Sequence, residues 1–396
     1  MLNALILSVS VLAGAIMLWP RVANAQLWRA TITPLASIIG SGFLVLGPIL
    51  DVSYGAFAPA VMLGLCVVAY LFGSAIRFNI ARIDQQSKRQ GLVILTETVA
   101  SAVLAFAFII SVSYYLNLFG AFGVSLTALD DRFHARLLTT SVFMVILIVG
   151  WTQGFSALER MEQVSVGIKL AIIAGLLFGL AVHFGDTVQQ GNLHVKPASV
   201  SGWAALTLMA GLIVTVQGFE TSRYLGATYD ARIRIRSMQL AQWFSSAIYM
   251  VYIGLLTYAF DTGTLTLDET SIIDLMQIVA PILPVLLVAA ALSAQFSAAV
   301  ADTSGSGGLI AEITKGKVPP KLAYSVLVGV GLLLTWTANV FEIISYASRA
   351  FAAYYAIQAG IAAMSARAQG LRGKAVLFGA LTILGCAITI FGESVE

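Results

Sequence analysis

Residues 38–42 read Ile-Ile-Gly-Ser-Gly, in the middle of a stretch, 30–50, that is otherwise apolar enough to cross a bilayer. Two glycines and a serine weaken a helix where lipid offers the freed backbone groups no partner, so the interruption has to line a space inside the protein. Membrane chains build small-solute sites in this way, from half-helices that meet near the bilayer centre. The rest of the sequence decides whether that is the use made of it here.

Composition places the chain in a membrane. Of 396 residues, 59 % are hydrophobic and 10 % charged, with a mean hydropathy of +0.91, against roughly 25 % charged in an average soluble chain. A spanning helix takes about 20 apolar residues. Twelve segments qualify: 3–20, 30–50, 57–78, 93–123, 137–155, 164–183, 203–224, 238–260, 280–311, 322–339, 343–365 and 373–392. The longest polar connections, 184–202, 225–237 and 261–279, are too short to bury a separate core. The expected fold class is therefore an all-α integral membrane protein of about twelve transmembrane helices.

Orientation follows from the loop cations. Arg82, Lys88, Arg89, Arg160, Arg232, Arg234, Arg236, Lys315, Lys317, Lys321, Arg367, Arg372 and Lys374 all follow odd-numbered spans, whereas the opposite loops carry Arg132, Arg136 and Lys196. Basic loops stay cytoplasmic, so both termini are expected outside a cell membrane. The first span has a rival reading, a signal peptide cut at Ala23-Asn24-Ala25. No cation precedes its apolar run, Arg21 follows it, and cleavage would invert the charge of every later loop, which favours a retained helix.

The net charge of +3 is topological and marks no nucleic-acid surface. Cys66 and Cys386 sit inside spans without metal-ligand spacing, and His134, His183 and His194 have no metal-site neighbours. Phosphate loops, nucleophile elbows and cofactor fingerprints are missing from the sequence. The expectation is no enzyme, no cofactor and no metal; the partners are a small solute and lipid.

A second span, 203–224, is also interrupted, at Gln217-Gly218-Phe219-Glu220. Two broken helices at corresponding places are what an inverted repeat of five helices produces, with the half-helix ends facing one site. The expected divisions are a peripheral segment 1–29, a first repeat 30–183, a second repeat 184–366 and a peripheral helix in 367–396.

At this point the residues resemble a family. Ile38-Ile39-Gly40-Ser41-Gly42-Phe43, followed by Gly47-Pro48, is similar to the first core helix of the amino acid/polyamine/organocation (APC) permeases. Residues 150–169, Gly218-Phe219-Glu220, the basic loop 230–236 and Lys315-Gly316-Lys317-Val318-Pro319 resemble later parts of the same family, in the same order. An extra N-terminal helix and the segment 291–312 bear a looser similarity to sodium/solute symporters. The resemblance implies a five-plus-five fold with broken first and sixth core helices, and transport by alternating access.

Candidate site residues follow. Ser37, Gly40, Ser41 and Gly42 at the first break, and Gly218, Phe219, Glu220 and Thr221 at the second, are expected to bind substrate, with half-helix amides suited to a carboxylate. For the small residues the alternative is close helix packing. Tyr114, on the long span with Ser111, Tyr115 and Asn117, is a further expected contact. Glu220 either pairs with Arg223, three positions on, or serves as a protonatable site. Lys169 either snorkels to the surface or, as the resemblance implies, places its ammonium where sodium sits in sodium-driven relatives. Asp302 is expected to pair with Lys169 or, with Thr303, to ligate a cation; the alternative is a structural hydrogen bond to a neighbouring helix. Arg223 and Arg349 are candidate gate residues, and 304–308 a close-packing surface.

The sequence thus reads as a secondary transporter of an amino acid or related small organic solute, proton-coupled or exchanging. A sodium symporter is the rival within transport. A transporter-shaped receptor that senses an amino acid is the rival from another class.

Overall fold

The computed structural model describes residues 1–40, 42–85, 91–152, 156–225, 229–261 and 267–395, with side chains throughout except at 83–85, 91–94 and 156–165. Among the described residues the chain is helical, without strands. The helices are α1 (Leu2–Leu18), α2 (Pro20–Ala23), α3 (Gln26–Ile38), α4 (Gly42–Tyr54), α5 (Ala58–Gln85), α6 (Gly91–Val124), α7 (Arg132–Thr152), α8 (Ser156–Gln189), α9 (Gly202–Gly211), α10 (Thr221–Tyr224), α11 (Ala231–Ala259), α12 (Ile272–Val279), α13 (Leu283–Ile313), α14 (Pro320–Thr337), α15 (Val340–Ala368) and α16 (Arg372–Phe391).

Eight described stretches are long and apolar enough to cross a membrane, one of them running through α4 and α5 from Gly42 to Arg82. Each of the other expected spans has a helical counterpart that departs for a physical reason. α1 is short, and the spans at 30–50 and 203–224 are broken into α3 and α4, and into α9 and α10. α15 carries Glu342, Arg349 and Gln358 and is buried along most of its length, so protein rather than lipid satisfies its polar groups. Its start is written in the sequence: Asn339 accepts from the Glu342 amide while the Glu342 carboxylate accepts from the Asn339 amide.

The connection 261–279, expected to be polar throughout, contains α12. Ile272, Ile273, Leu275, Met276 and Val279 bury one face of it, and prolines at 281 and 284 end it and begin α13.

Helices α6, α13 and α15 form the centre of the bundle, with α5, α8 and α11 around the two breaks. Part of the 304–308 stripe packs closely: Gly305 faces Phe108, Gly307 faces Tyr324, and the Ser306 hydroxyl donates to the Ala105 carbonyl at 3.2 Å, whereas Gly308 is exposed with open space around it. The N-terminal helix α1 lies on α8, with Ile6 and Ser10 filling the space left by Gly175 and Gly179.

Candidate functional site

The first break falls where the sequence places it. α3 ends at Ile38, α4 begins at Gly42, and Ser41 lies outside the described residues. A helix end leaves its last carbonyls without intrahelical donors, and here three helices supply what is needed. The Leu35 carbonyl takes the Ile39 amide at 3.0 Å, and the Ala36 carbonyl takes the Lys169 ammonium of α8 at 2.6 Å. The Ile38 carbonyl lies 3.0 Å from the Tyr249 hydroxyl of α11.

Lys169 is 1 % exposed. Because α8 starts at Ser156, Lys169 lies deep in the helix, and the snorkelling alternative is excluded by its bond to Ala36. A cation at the carbonyl end of a half-helix is in the favourable orientation for the helix dipole.

The second break is satisfied in the same way. α9 ends at Gly211, whose carbonyl accepts from the Ser348 hydroxyl of α15 at 2.6 Å; the Ser348 hydroxyl oxygen in turn accepts from the Val214 amide at 3.0 Å. The Tyr249 hydroxyl also lies 2.7 Å from the Thr215 carbonyl, so one proton is shared between carbonyls of both breaks. Gln217 donates to the Tyr115 hydroxyl at 2.9 Å, and the Thr221 hydroxyl donates to the Gly218 carbonyl at 2.7 Å.

The two breaks meet each other reciprocally. A Cβ on Gly42 would stand 2.8 Å from Thr215 Cα, and one on Gly218 would stand 2.6 Å from the Ser37 backbone. Each break therefore packs a glycine on the residue just before the other break. Gly40 lies close to Tyr115, whose hydroxyl holds Gln217. The cavity bordering both breaks, lined by Ile38, Val216 and Tyr249, is about 10 Å³. That is room for about one water. Gly42 thus serves contact between the breaks, the packing alternative.

Glu220 is fully buried. Its Oε2 accepts from the Gly218 amide at 3.0 Å and from the Tyr355 hydroxyl at 2.8 Å, whereas Oε1 has no partner among the described residues. The expected pairing with Arg223 is not formed: Arg223 Nη2 lies 3.8 Å from Glu97 Oε1 of α6. Phe219 and Phe72 stack on the two sides of Tyr355, at 5.1 and 5.2 Å, fixing the ring that holds the carboxylate.

Asp302 accepts from Ser111 of α6. Thr303 donates to the Ala299 carbonyl within its own helix at 2.6 Å. Tyr114 is buried beside Tyr115, their rings 5.2 Å apart. Arg349 departs from a gate role: its Nε and Nη2 donate, both at 2.9 Å, to the Thr389 and Ile390 carbonyls at the end of α16. It ties the last helix to α15.

Tyr249, Tyr355, Ser348 and Glu97 are contributions that sequence reasoning did not assign. The available signal was tyrosine in the middle of an apolar span, where a buried hydroxyl requires a partner.

Glu97, Thr98, Ser101, Arg223, Tyr224, Arg234, Glu312 and Lys315 line a cavity of about 420 Å³ at one end of the bundle, a helical turn from Glu220. The arrangement joins two tightly closed backbone breaks to a roomy, charged chamber.

The family described as APC superfamily transporter matches residues 20–392. An uncharacterized protein of Aquifex aeolicus (strain VF5) is 40 % identical over 390 residues, 95 % of this chain and 93 % of that protein. With both helix breaks in place and a match across nearly its whole length, the chain belongs to the APC superfamily of transporters.

Proposed function

We propose that this transporter moves an amino acid or a related small organic solute by alternating access, driven by protons or by exchange. The observation that carries the reading is the Lys169 ammonium on the Ala36 carbonyl, at the end of the first half-helix. That position asks for positive charge. A resident ammonium supplies it, and no sodium ion is then required there.

Glu220 is the protonatable partner. It sits in the second break with one oxygen bonded and the other bare, so the carboxyl can gain a proton on Oε1 without losing an existing bond. Asp302 with Ser111 is the second carboxyl of the same region. The reciprocal glycine contacts support a repeat of 30–183 by 184–366, flanked by 1–29 and 367–396. A solute reaches the breaks when these contacts part, which is the motion alternating access demands.

The test is uptake into proteoliposomes. One proton moving down a pH unit and 100 mV releases about 1.36 and ~2.3 kcal/mol. The expected result is uptake stimulated by an inward proton gradient and indifferent to sodium, with Lys169→Ala losing pH dependence more than solute binding. Uptake that needs sodium at fixed pH would transfer the coupling role to Asp302 and Thr303. Solute binding without any flux would make the protein a receptor.

A further inference from the structure

Three cationic side chains, Arg223, Arg234 and Lys315, line the chamber together with two carboxylates, Glu97 and Glu312. Within the wall, Arg223 Nη1 and Arg234 Nε are enclosed and bonded to nothing among the described residues, so protein acceptors do not saturate either guanidinium. The contact of Arg223 with Glu97, at 3.8 Å, is an ion pair beyond hydrogen-bonding distance. Arg234 Nη1 donates to the Arg223 carbonyl at 3.0 Å, which fixes the base of α11 against the end of α10 and keeps the two arginines together. Three cations against two carboxylates leave the wall one positive charge in excess, which a bound anion would balance.

A third cation is held there at a steric cost. α13 ends in a Schellman turn, with the Gly316 amide on the Ala311 carbonyl at 2.8 Å and the Lys315 amide on the Glu312 carbonyl at 3.0 Å. The left-handed position of that turn is one glycine normally fills, yet it is occupied by Lys315 at φ +52°. The adjacent Gly316, also left-handed at φ +79°, shows that the turn itself is glycine-compatible. Lysine at the strained position contributes a charge to the chamber wall.

We propose that this chamber is a second solute site, at which Arg223, Arg234 and Lys315 hold the carboxylate of the transported molecule after it leaves the breaks. Guanidinium groups match a carboxylate in two-point geometry. Glu97 and Glu312, on the same wall, suit a solute that also carries an amine. At about 420 Å³ the chamber accommodates a small organic solute, whereas the 10 Å³ cavity at the breaks does not. The inference rests on the transport reading, because it names the solute by its carboxylate and places it on the release path.

The experiment uses the full-length protein with Cys66 and Cys386 replaced by serine and Ser101→Cys introduced as a reporter in the chamber wall. The rate of alkylation of that cysteine by a maleimide is followed with propionate, glycine or propylamine present. Propionate and glycine should slow labelling roughly tenfold at ten times their dissociation constants, when about a tenth of the sites remain open; propylamine should not. Arg234→Gln should abolish the protection, Arg234→Lys should keep part of it, and Lys321→Gln, at an exposed cation outside the chamber wall, should leave it intact. Lys315→Gly should weaken the protection while raising the melting temperature, which separates loss of charge from loss of fold. Protection by propylamine equal to that by propionate, no protection by any probe, or loss of protection in Lys321→Gln would each overturn the proposal. Protection without flux in proteoliposomes would sink the transport reading and leave the anion site standing.

Discussion

At Gly218 the backbone adopts φ +114°, and a Cβ there would collide with Ser37. Both facts forbid a side chain, whereas Gly167, with open space around its Cβ position, tolerates one. Gly218→Ala should lower stability by about 1–3 kcal/mol, read as an earlier thermal transition in detergent. Gly167→Ala should leave it unchanged or slightly raised. An equal effect of the two would remove the reciprocal packing of the breaks as an explanation. Tyr249→Phe addresses the same contact from the other side. It takes the one hydroxyl shared by the Ile38 and Thr215 carbonyls and leaves both buried acceptors short, at a cost of about 1–3 kcal/mol. A melting temperature identical to that of the parent protein would count against it.

Among elements, the connection between α8 and α9 is pinned to the far end of α4. The Lys196 ammonium pairs with Asp51, whose side chain is fully buried, and also donates to the Phe260 carbonyl at 3.0 Å. The Ser199 and Val200 amides both donate to the Ser53 carbonyl, at 3.0 and 3.2 Å. Lys196→Ala therefore strands a buried carboxylate and should cost about 3 kcal/mol, whereas Lys196→Met combined with Asp51→Asn should recover most of that loss. A double variant no better than the single one would show that the pair contributes no coupling. Just after α16, the Thr207 hydroxyl of α9 donates to Glu393 at 2.7 Å and the Glu393 amide returns a bond to the Thr207 carbonyl at 3.0 Å. Connector and tail thus each restrain one half-helix of a broken span.

For the whole molecule the prediction concerns orientation. The cation distribution predicts both termini outside and the Arg232, Arg234 and Arg236 end of α11 inside. Tags at Met1 and after Glu396 should react with an impermeant reagent in intact cells, and a tag between α10 and α11 should not. An internal N-terminus would reverse the sides assigned to the charged chamber and to the Lys196 connector. The chamber would then open outward, and the proposed order of solute steps would invert with it.

Much of this architecture was legible without coordinates. Apolar runs specify spans because a bilayer leaves a chain few other choices. Gly-Ser-Gly at 40–42 and Gln-Gly-Phe-Glu at 217–220 announce breaks because these residues weaken a helix locally, whatever surrounds them. Partnerships were not legible. Lys169 meets Ala36, Glu220 meets Tyr355 in place of Arg223, and Arg349 holds the end of α16, because crossings between helices distant in the chain bring those groups together. α15 shows the same limit. Its polar side chains weaken it as a membrane span by composition, and only its place at the centre of the bundle supplies their partners. Sequence alone settled the class, the spans and the points of interruption, since each depends on local chain chemistry and the solvent. Tertiary structure decided which buried groups satisfy one another, since a hydrogen bond depends on a few tenths of an ångström between helices whose packing no local pattern encodes.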